Sequence, residues 1–268
     1  AASNPVSDGV PQLREDNIPE IVAAMTPEEK CTLIIGGRAA NFNGIGFTNT
    51  GVPGAASVIN AIPRLGIPMV VLADGPAGLR ISPTREGDPR TFYCTGFPIA
   101  TMLSSTWNLD LVEEAGRNMG NEVLEYGVDI LLAPGANIHR NPLCGRNFEY
   151  YSEDPYLTGK LASAMVRGIQ SNHIGASVKH FAFNNKETNR RNSDSRVSER
   201  AAREIYLKAF EIIVKEAKPW CIMSSYNLVN NIKVSETPAL ITDLPRDEWG
   251  WTGMFMTDWG NGANHIEE

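Results

Sequence analysis

"EDPYLTGKLASAMVRGIQSNHIGASVKHF", residues 153–181, contains one complete change of structural period. Its first part (153–172) reads as a helix, and its second (174–181) is a short apolar strand carrying Lys179 and His180 near its end. The same alternation extends in both directions. Upstream, "IPMVVLAD" (67–74) reads as a strand, 105–127 carries a long helix ended by Gly127, and "VDILLAP" (128–134) is the next strand. Downstream follow a helix over 198–217 with Ser198 as N-cap, the strand "WCIMSSYN" (220–227), a shorter helix over 237–250 and the strand in "GMFMTDWG" (253–260). The strands are near-continuous apolar runs, as in a parallel sheet buried on both faces. Strand and helix in regular alternation mean an α/β fold.

Ahead of this region, "MTPEEKCTLIIGG" predicts a helix with Thr26 as N-cap, Pro27 at its first position and Glu29 completing a capping box. Gly36 and Gly37 stop it. The Gly- and Asn-rich stretch over 41–54 reads as a loop.

The chain has 268 residues, with Lys plus Arg 24, Asp plus Glu 31 and a formal net charge of −7. No basic stripe stands out, so nucleic acid is not an expected partner. No apolar run approaches the roughly 20 residues that cross a bilayer, so neither is a membrane. The first residues show no secretory signal, and the compartment stays open. Cys31, Cys94, Cys144 and Cys221 form no CxxC pair, which argues against zinc. Cys221 reads as a small buried apolar residue, and a Cys94–Cys144 pair is left open.

The polar residues gather at strand ends. Asp74 closes one strand, Lys179 and His180 another, Tyr226 and Asn227 a third, and Asp258 the last; Arg140, Arg146 and Glu149 sit in the long loop after residue 134. In parallel α/β sheets ligands bind at the carboxyl ends of the strands. Asp258 alone could be a helix cap, but four such strand ends together signal a site. A metal site is disfavoured because HExxH and tight carboxylate clusters are missing, and no phosphate loop opens a helix. A Schiff-base role for Lys179 remains one alternative. A polyhydroxylated ligand is the better match, since Asp, Lys, His, Arg and Asn together satisfy many hydroxyls and Trp259 offers a platform for a pyranose face. A carboxylate then has work at the anomeric carbon. No cofactor is needed.

"LADGPAGLR" (72–80), "GRNFEYYSEDP" (145–155), "SVKHF" (177–181), "MSSYN" (223–227) and "TDWG" (257–260) together resemble glycoside hydrolase family 3, the β-glucosidase-like enzymes, with the motifs in family order. The resemblance implies a (β/α)8-type TIM-like barrel, incomplete in this chain and normally paired with an α/β sandwich domain. Residues 1–268 then comprise lead-in helices plus most of a catalytic barrel. The implied activity is retaining hydrolysis of a β-glycoside from the non-reducing end, with β-glucosidase first and β-xylosidase as an alternative. Carried over by motif, Asp258 is the nucleophile, with a pKa held down by Lys179 and Arg146. Asp74, Lys179, His180 and Arg146 hold sugar hydroxyls, Tyr226 lies beside the nucleophile, Met223 is a pocket wall and Trp259 shapes the next subsite. The family also implies unusual cis peptides around the Lys-His pair. Glu149 and Arg80 are read as salt-bridge partners at the rim, and Trp107, Trp220, Trp249 and Trp251 as packing residues.

Retention needs a second carboxyl, the general acid, about 5 Å from the nucleophile. The resemblance places it on the sandwich domain, so a partner segment, in the same or a second chain, is expected beside the β-glucoside or oligosaccharide substrate. The single-barrel hexosaminidase branch carries an acid His after its "KHF" motif. Here Asp194-Ser195-Arg196 stands in that region with no His, which disfavours that branch. A sugar-binding protein without catalysis is the reading from another class.

Overall fold

The computed structural model describes residues 9–37 and 51–261. Residues 1–8 of the start and 41–50 of the Gly/Asn-rich stretch lie outside them. Nine strands are present among the described residues: β1 (Ser57–Ile59), β2 (Val70–Asp74), β3 (Ile130–Leu132), β4 (Gly175–Phe181), β5 (Asp194–Ser195), β6 (Cys221–Ser224), β7 (Leu228–Val229), β8 (Ile232–Lys233) and β9 (Met254–Thr257). Six of them form one sheet in the order β1-β2-β3-β4-β6-β9, while β5, β7 and β8 make a small second sheet. Only the β1–β2 pairing of the main sheet is antiparallel; the other four are parallel. This is the α/β wall of a TIM-like barrel, and its five parallel strands are the five read from the sequence.

The helices are α1 (Ile18–Ala24), α2 (Pro27–Ile35), α3 (Ala100–Ser104), α4 (Leu109–Glu125), α5 (Pro155–Gln170), α6 (Glu199–Ala201) and α7 (Lys208–Ala217). α2 has the expected capping box, with Thr26 and Glu29 bonded reciprocally, and ends at Gly36 with φ 73°. α4 starts where the Asn108 side chain accepts from Leu111 N–H at 3.1 Å. α5 starts where Asp154 accepts from Tyr156 and Leu157 at 2.7 and 2.9 Å. α6 and α7 form one rod through a wide turn, in which Leu207 N–H reaches the Ala202 carbonyl at 2.8 Å, five residues back. The helix expected over 237–250 is wide in the same way (Ala239–Glu248) and contains Pro245, which has no N–H to give an α-helical ladder.

Strand periodicity explains the unbroken apolar runs. Val71, Ala73, Leu131, Ala176, Val178 and Ile222 face outward into the main core, shared with α4, α5 and α7. Leu72, Ile130, Leu132, Cys221 and Met223 face inward and form a separate cluster with Met254 and Met256. Successive side chains of a strand point to opposite faces, so both residue sets must be apolar. α4 and α5 approach backbone to backbone: a Cβ on Gly168 would lie 2.2 Å from the Glu113 carbonyl oxygen.

One expectation is corrected, that for the tryptophans, and two readings are made specific. The helical stretch 105–127 begins only at Leu109, because Trp107 takes φ 54° between α3 and α4. Trp107 is 75% exposed and is not the packing residue expected, whereas Trp220 lies over Gly175, Trp251 is buried and Trp249 packs on Phe181. Cys94 and Cys144 are free thiols, as are Cys31 and Cys221.

Candidate active site

The carboxyl ends of β2, β4, β6 and β9 converge on one cavity of about 200 Å³. It is lined by Asp74, Arg146, Lys179, His180, Met223, Tyr226, Asp258 and Trp259, the eight residues read from the sequence. Ala56, Arg80, Leu132 and Arg190 complete the lining. A wider cleft of about 470 Å³ opens at the other ends of β6 and β9, beside Trp220, Trp249 and Trp251. It has no carboxylate or imidazole in its lining, so acid–base chemistry belongs to the smaller cavity.

Each side chain reaches the cavity for a local reason. Asp74 ends β2 and is followed by a tight turn in which Gly75 has φ 148°; a Cβ there would stand 1.8 Å from the Gly78 carbonyl oxygen. That turn folds Arg80 back: its N–H donates to the Asp74 carbonyl at 2.9 Å, and its guanidinium lies 3.3 Å from Asp74 Oδ2. At the end of β4 the Lys179–His180 and Phe181–Ala182 peptides are cis, and both Lys179 and His180 line the cavity. Lys179 Nζ donates to Asp74 Oδ1 at 3.3 Å and lies 3.8 Å from Glu149 Oε2. Arg146, from the loop after β3, forms a short ion pair with buried Glu149. The Glu149 carboxylate therefore stands behind the cavity as partner to Lys179 and Arg146, while Arg80 both pairs and lines the pocket.

Asp258 follows β9 and is buried. Its Oδ1 accepts the backbone N–H of Trp259 at 2.7 Å, and its Oδ2 is 3.9 Å from His180 Nε2. Tyr226 lies against it: the phenol donates to the Trp259 carbonyl at 2.6 Å and caps the same turn. Trp259 itself is half-buried. Two residues that sequence reasoning missed are Arg190 and Arg191, whose guanidiniums stack over Tyr226 at 4.7 and 5.0 Å. They sit in an aperiodic loop, and only the path of the chain brings them back to the mouth.

The electrostatics divide the two acids. For Asp74, burial pushes the pKa up, but the charges of Lys179 and Arg80 outweigh it and the net shift is downward. For Asp258 burial wins and the pKa rises, in spite of the Trp259 N–H, the Tyr226 hydroxyl, Arg146 and Lys179. This corrects the expected depression. Lys179 is bonded to Asp74 and near Glu149, and Arg146 to Glu149, so neither cation is in direct contact with Asp258. Burial, followed by the positive charges of Arg146, Lys179 and Arg190, drives His180 well below the usual histidine range, which keeps it neutral. Among the described residues no group of three His, Cys, Asp or Glu side chains is placed to hold a metal ion. No described helix is long and apolar enough to cross a membrane.

The arrangement offers a buried carboxylate, a neutral imidazole and a separate paired carboxylate around a cavity of about 200 Å³. Comparison with known proteins gives a consistent answer. The family model described as the glycosyl hydrolase family 3 N terminal domain matches residues 38–268. Beta-glucosidase A of Butyrivibrio fibrisolvens is 54% identical over 207 residues, covering 77% of this chain and 24% of that protein. An exo-alpha-(1->6)-L-arabinopyranosidase of Bifidobacterium longum is 45% identical over 248 residues, covering 91% of this chain and 30% of its own. The structure of beta-glucosidase 3B from Thermotoga neapolitana in complex with glucose superposes with a TM-score of 0.88 at 54% identity, over 93% of this chain and 34% of that one. The chain thus spans 24% and 30% of the length of these two curated relatives.

Proposed function

The chain belongs to glycosyl hydrolase family 3, and from that premise we propose that it carries the sugar pocket and the nucleophile of a retaining β-glucosidase. Asp258 attacks the anomeric carbon and forms a glycosyl-aspartate, which water then hydrolyses. The observation that carries this reading is the setting of Asp258: buried at the cavity floor, held by the Trp259 N–H at 2.7 Å, and, among the described residues, without a direct Lys or Arg ion pair. A carboxylate not bonded to a cation keeps its lone pairs for carbon. Asp74, fixed by Lys179 and Arg80, accepts from hydroxyls remote from the anomeric centre. Lys179, His180 and Arg146 donate to hydroxyls around the ring, Met223 packs as a wall, and Trp259 flanks the aglycone side.

Asp74 is a poor general acid, because its net pKa shift favours the ionised form. Among the described residues it is the only other carboxylate lining the cavity. We therefore assign the acid to a part of the enzyme outside the described residues; in the curated relatives the matching stretch is one portion of a longer protein. The arabinopyranosidase relative supports a second substrate reading, a pentopyranoside that lacks the exocyclic hydroxymethyl group.

Intact-mass spectrometry of the natural-length protein, with and without a 2-deoxy-2-fluoro-β-glucoside bearing a good leaving group, tests the proposal. An adduct mapped to Asp258 is expected. An adduct on another residue contradicts the assignment. Turnover of an aryl α-L-arabinopyranoside but not of an aryl β-glucoside selects the second substrate.

A further inference from the structure

Behind His180 runs a hydrogen-bond chain whose proton positions follow from elementary donor and acceptor counting. Glu187, once ionised, only accepts. Asn184 Nδ2 lies 2.9 Å from Glu187 Oε1, so the amide turns its NH2 and not its carbonyl toward that carboxylate. The same NH2 lies 3.0 Å from the hydroxyl of Tyr150. The phenol oxygen therefore accepts from Asn184, and its own proton points to its other partner, His180 Nδ1, at 3.0 Å. Tyr150, His180 and Asn184 are all buried. The main chain of His180 is clamped as well: Asn137 accepts its N–H at 2.8 Å and donates to its carbonyl at 2.9 Å.

An imidazole that accepts at Nδ1 and is neutral carries its proton on Nε2. Nε2 is the nitrogen facing the cavity, 3.9 Å from Asp258 Oδ2. The other charged groups around the ring are Arg146, Lys179 and Arg190, all of which oppose a second proton. We propose that Tyr150, oriented by Asn184 and Glu187, is a positioning residue that locks His180 in the Nε2–H tautomer. His180 is then a permanent hydrogen-bond donor at the pocket floor and neither an acid nor a base. A sugar hydroxyl that accepts from it keeps its own proton for a carboxylate. In the other tautomer an imidazole lone pair would face the lone pairs of Asp258. The catalytic consequence rests on the glycosidase reading; the tautomer does not.

Histidine-selective 15N labelling of the natural-length protein, with the His180 signals assigned by their loss in His180→Asn, reads the tautomer directly. The wild-type protein should show a bare Nδ1 and a protonated Nε2 across the working pH range. Tyr150→Phe should give a mixture of tautomers and lower kcat/KM about tenfold, the loss expected for one buried hydrogen bond. Asn184→Ala keeps the phenol but frees it to accept from Nδ1–H, and should mix the tautomers too; it decides the matter if Tyr150→Phe does not fold. A protonated Nδ1 in the wild-type protein, or a single Nε2–H tautomer surviving in the folded variants, overturns the proposal. If no glycoside is turned over, the glycosidase reading fails while the spectra still judge the tautomer.

Discussion

The two aspartates of the cavity come from the ends of two parallel strands, β2 and β9, yet their surroundings push them in opposite directions. Asp74 stands between Lys179 and Arg80, each 3.3 Å away, and its pKa falls. Asp258 has a neutral imidazole at 3.9 Å and a backbone N–H, and its pKa rises. On the proposed reading, the difference separates a fixed anion that would hold hydroxyls from a less well stabilised one that would react. It also shows why a count of nearby cations does not settle a pKa: burial raises both and Lys179 lowers both, and the sign turns on direct cation contact, which Asp74 has from Lys179 and Arg80.

The largest effect expected from breaking this contrast is at Asp258. Asp258→Asn should lower turnover of an activated β-glucoside by on the order of 10⁴-fold or more, the scale of loss when one member of a hydrolase's catalytic set is removed. The same change should leave the fold as stable or raise its melting temperature. A carboxyl whose folded pKa lies above its unfolded value favours the fold while protonated, and that contribution is lost as pH rises through the folded pKa. Asn removes that cost. Asp74→Asn should do the reverse on stability, because a depressed folded pKa stabilises at neutral pH and the contribution is lost as pH falls through it. Its kcat/KM should drop roughly a hundredfold, since charge-assisted hydrogen bonds carry about 1.5–3 kcal/mol each. Calorimetry beside initial-rate kinetics checks both, and equal signs in the two melting shifts would dissolve the contrast.

A smaller effect sharpens it. The Tyr226 hydroxyl helps hold the Asp258 pKa down, so Tyr226→Phe should move the acid limb of kcat/KM to higher pH. An unmoved limb would take Tyr226 out of the electrostatic account. The smallest effect belongs to Arg80→Gln, whose partly exposed pair with Asp74 is worth up to about 1 kcal/mol, a few-fold in KM.

Sequence carried the strand ends because apolar runs that close on a polar residue are visible at short range: "VVLAD", "SVKHF" and "MFMTD" each place one or two site residues. It carried α2 through a capping box and a glycine stop, α4 through the stop at Gly127, and the start of α6 through the Ser198 cap. β1 was invisible, since three residues have no period to read, and so was the wide turn between α6 and α7. Arg190, Glu187 and Asn184 lie in one irregular loop, where no repeat marks which side chains turn inward. Tyr150 sat inside a recognised motif, but its role depends on the 3.0 Å approach to His180. The sign of the Asp258 shift was out of reach because it depends on desolvation, a property of the packed site.

Chemical rescue tests the central claim most directly. Asp258→Ala and Asp74→Ala of the natural-length protein are given an aryl β-glucoside with and without azide. Azide entering the space left by the nucleophile displaces the phenol with one inversion, so Asp258→Ala should regain turnover and release α-glucosyl azide, while Asp74→Ala should form none. Formation of that product by Asp74→Ala and not by Asp258→Ala would contradict the account, because it would exchange the roles of the two acids.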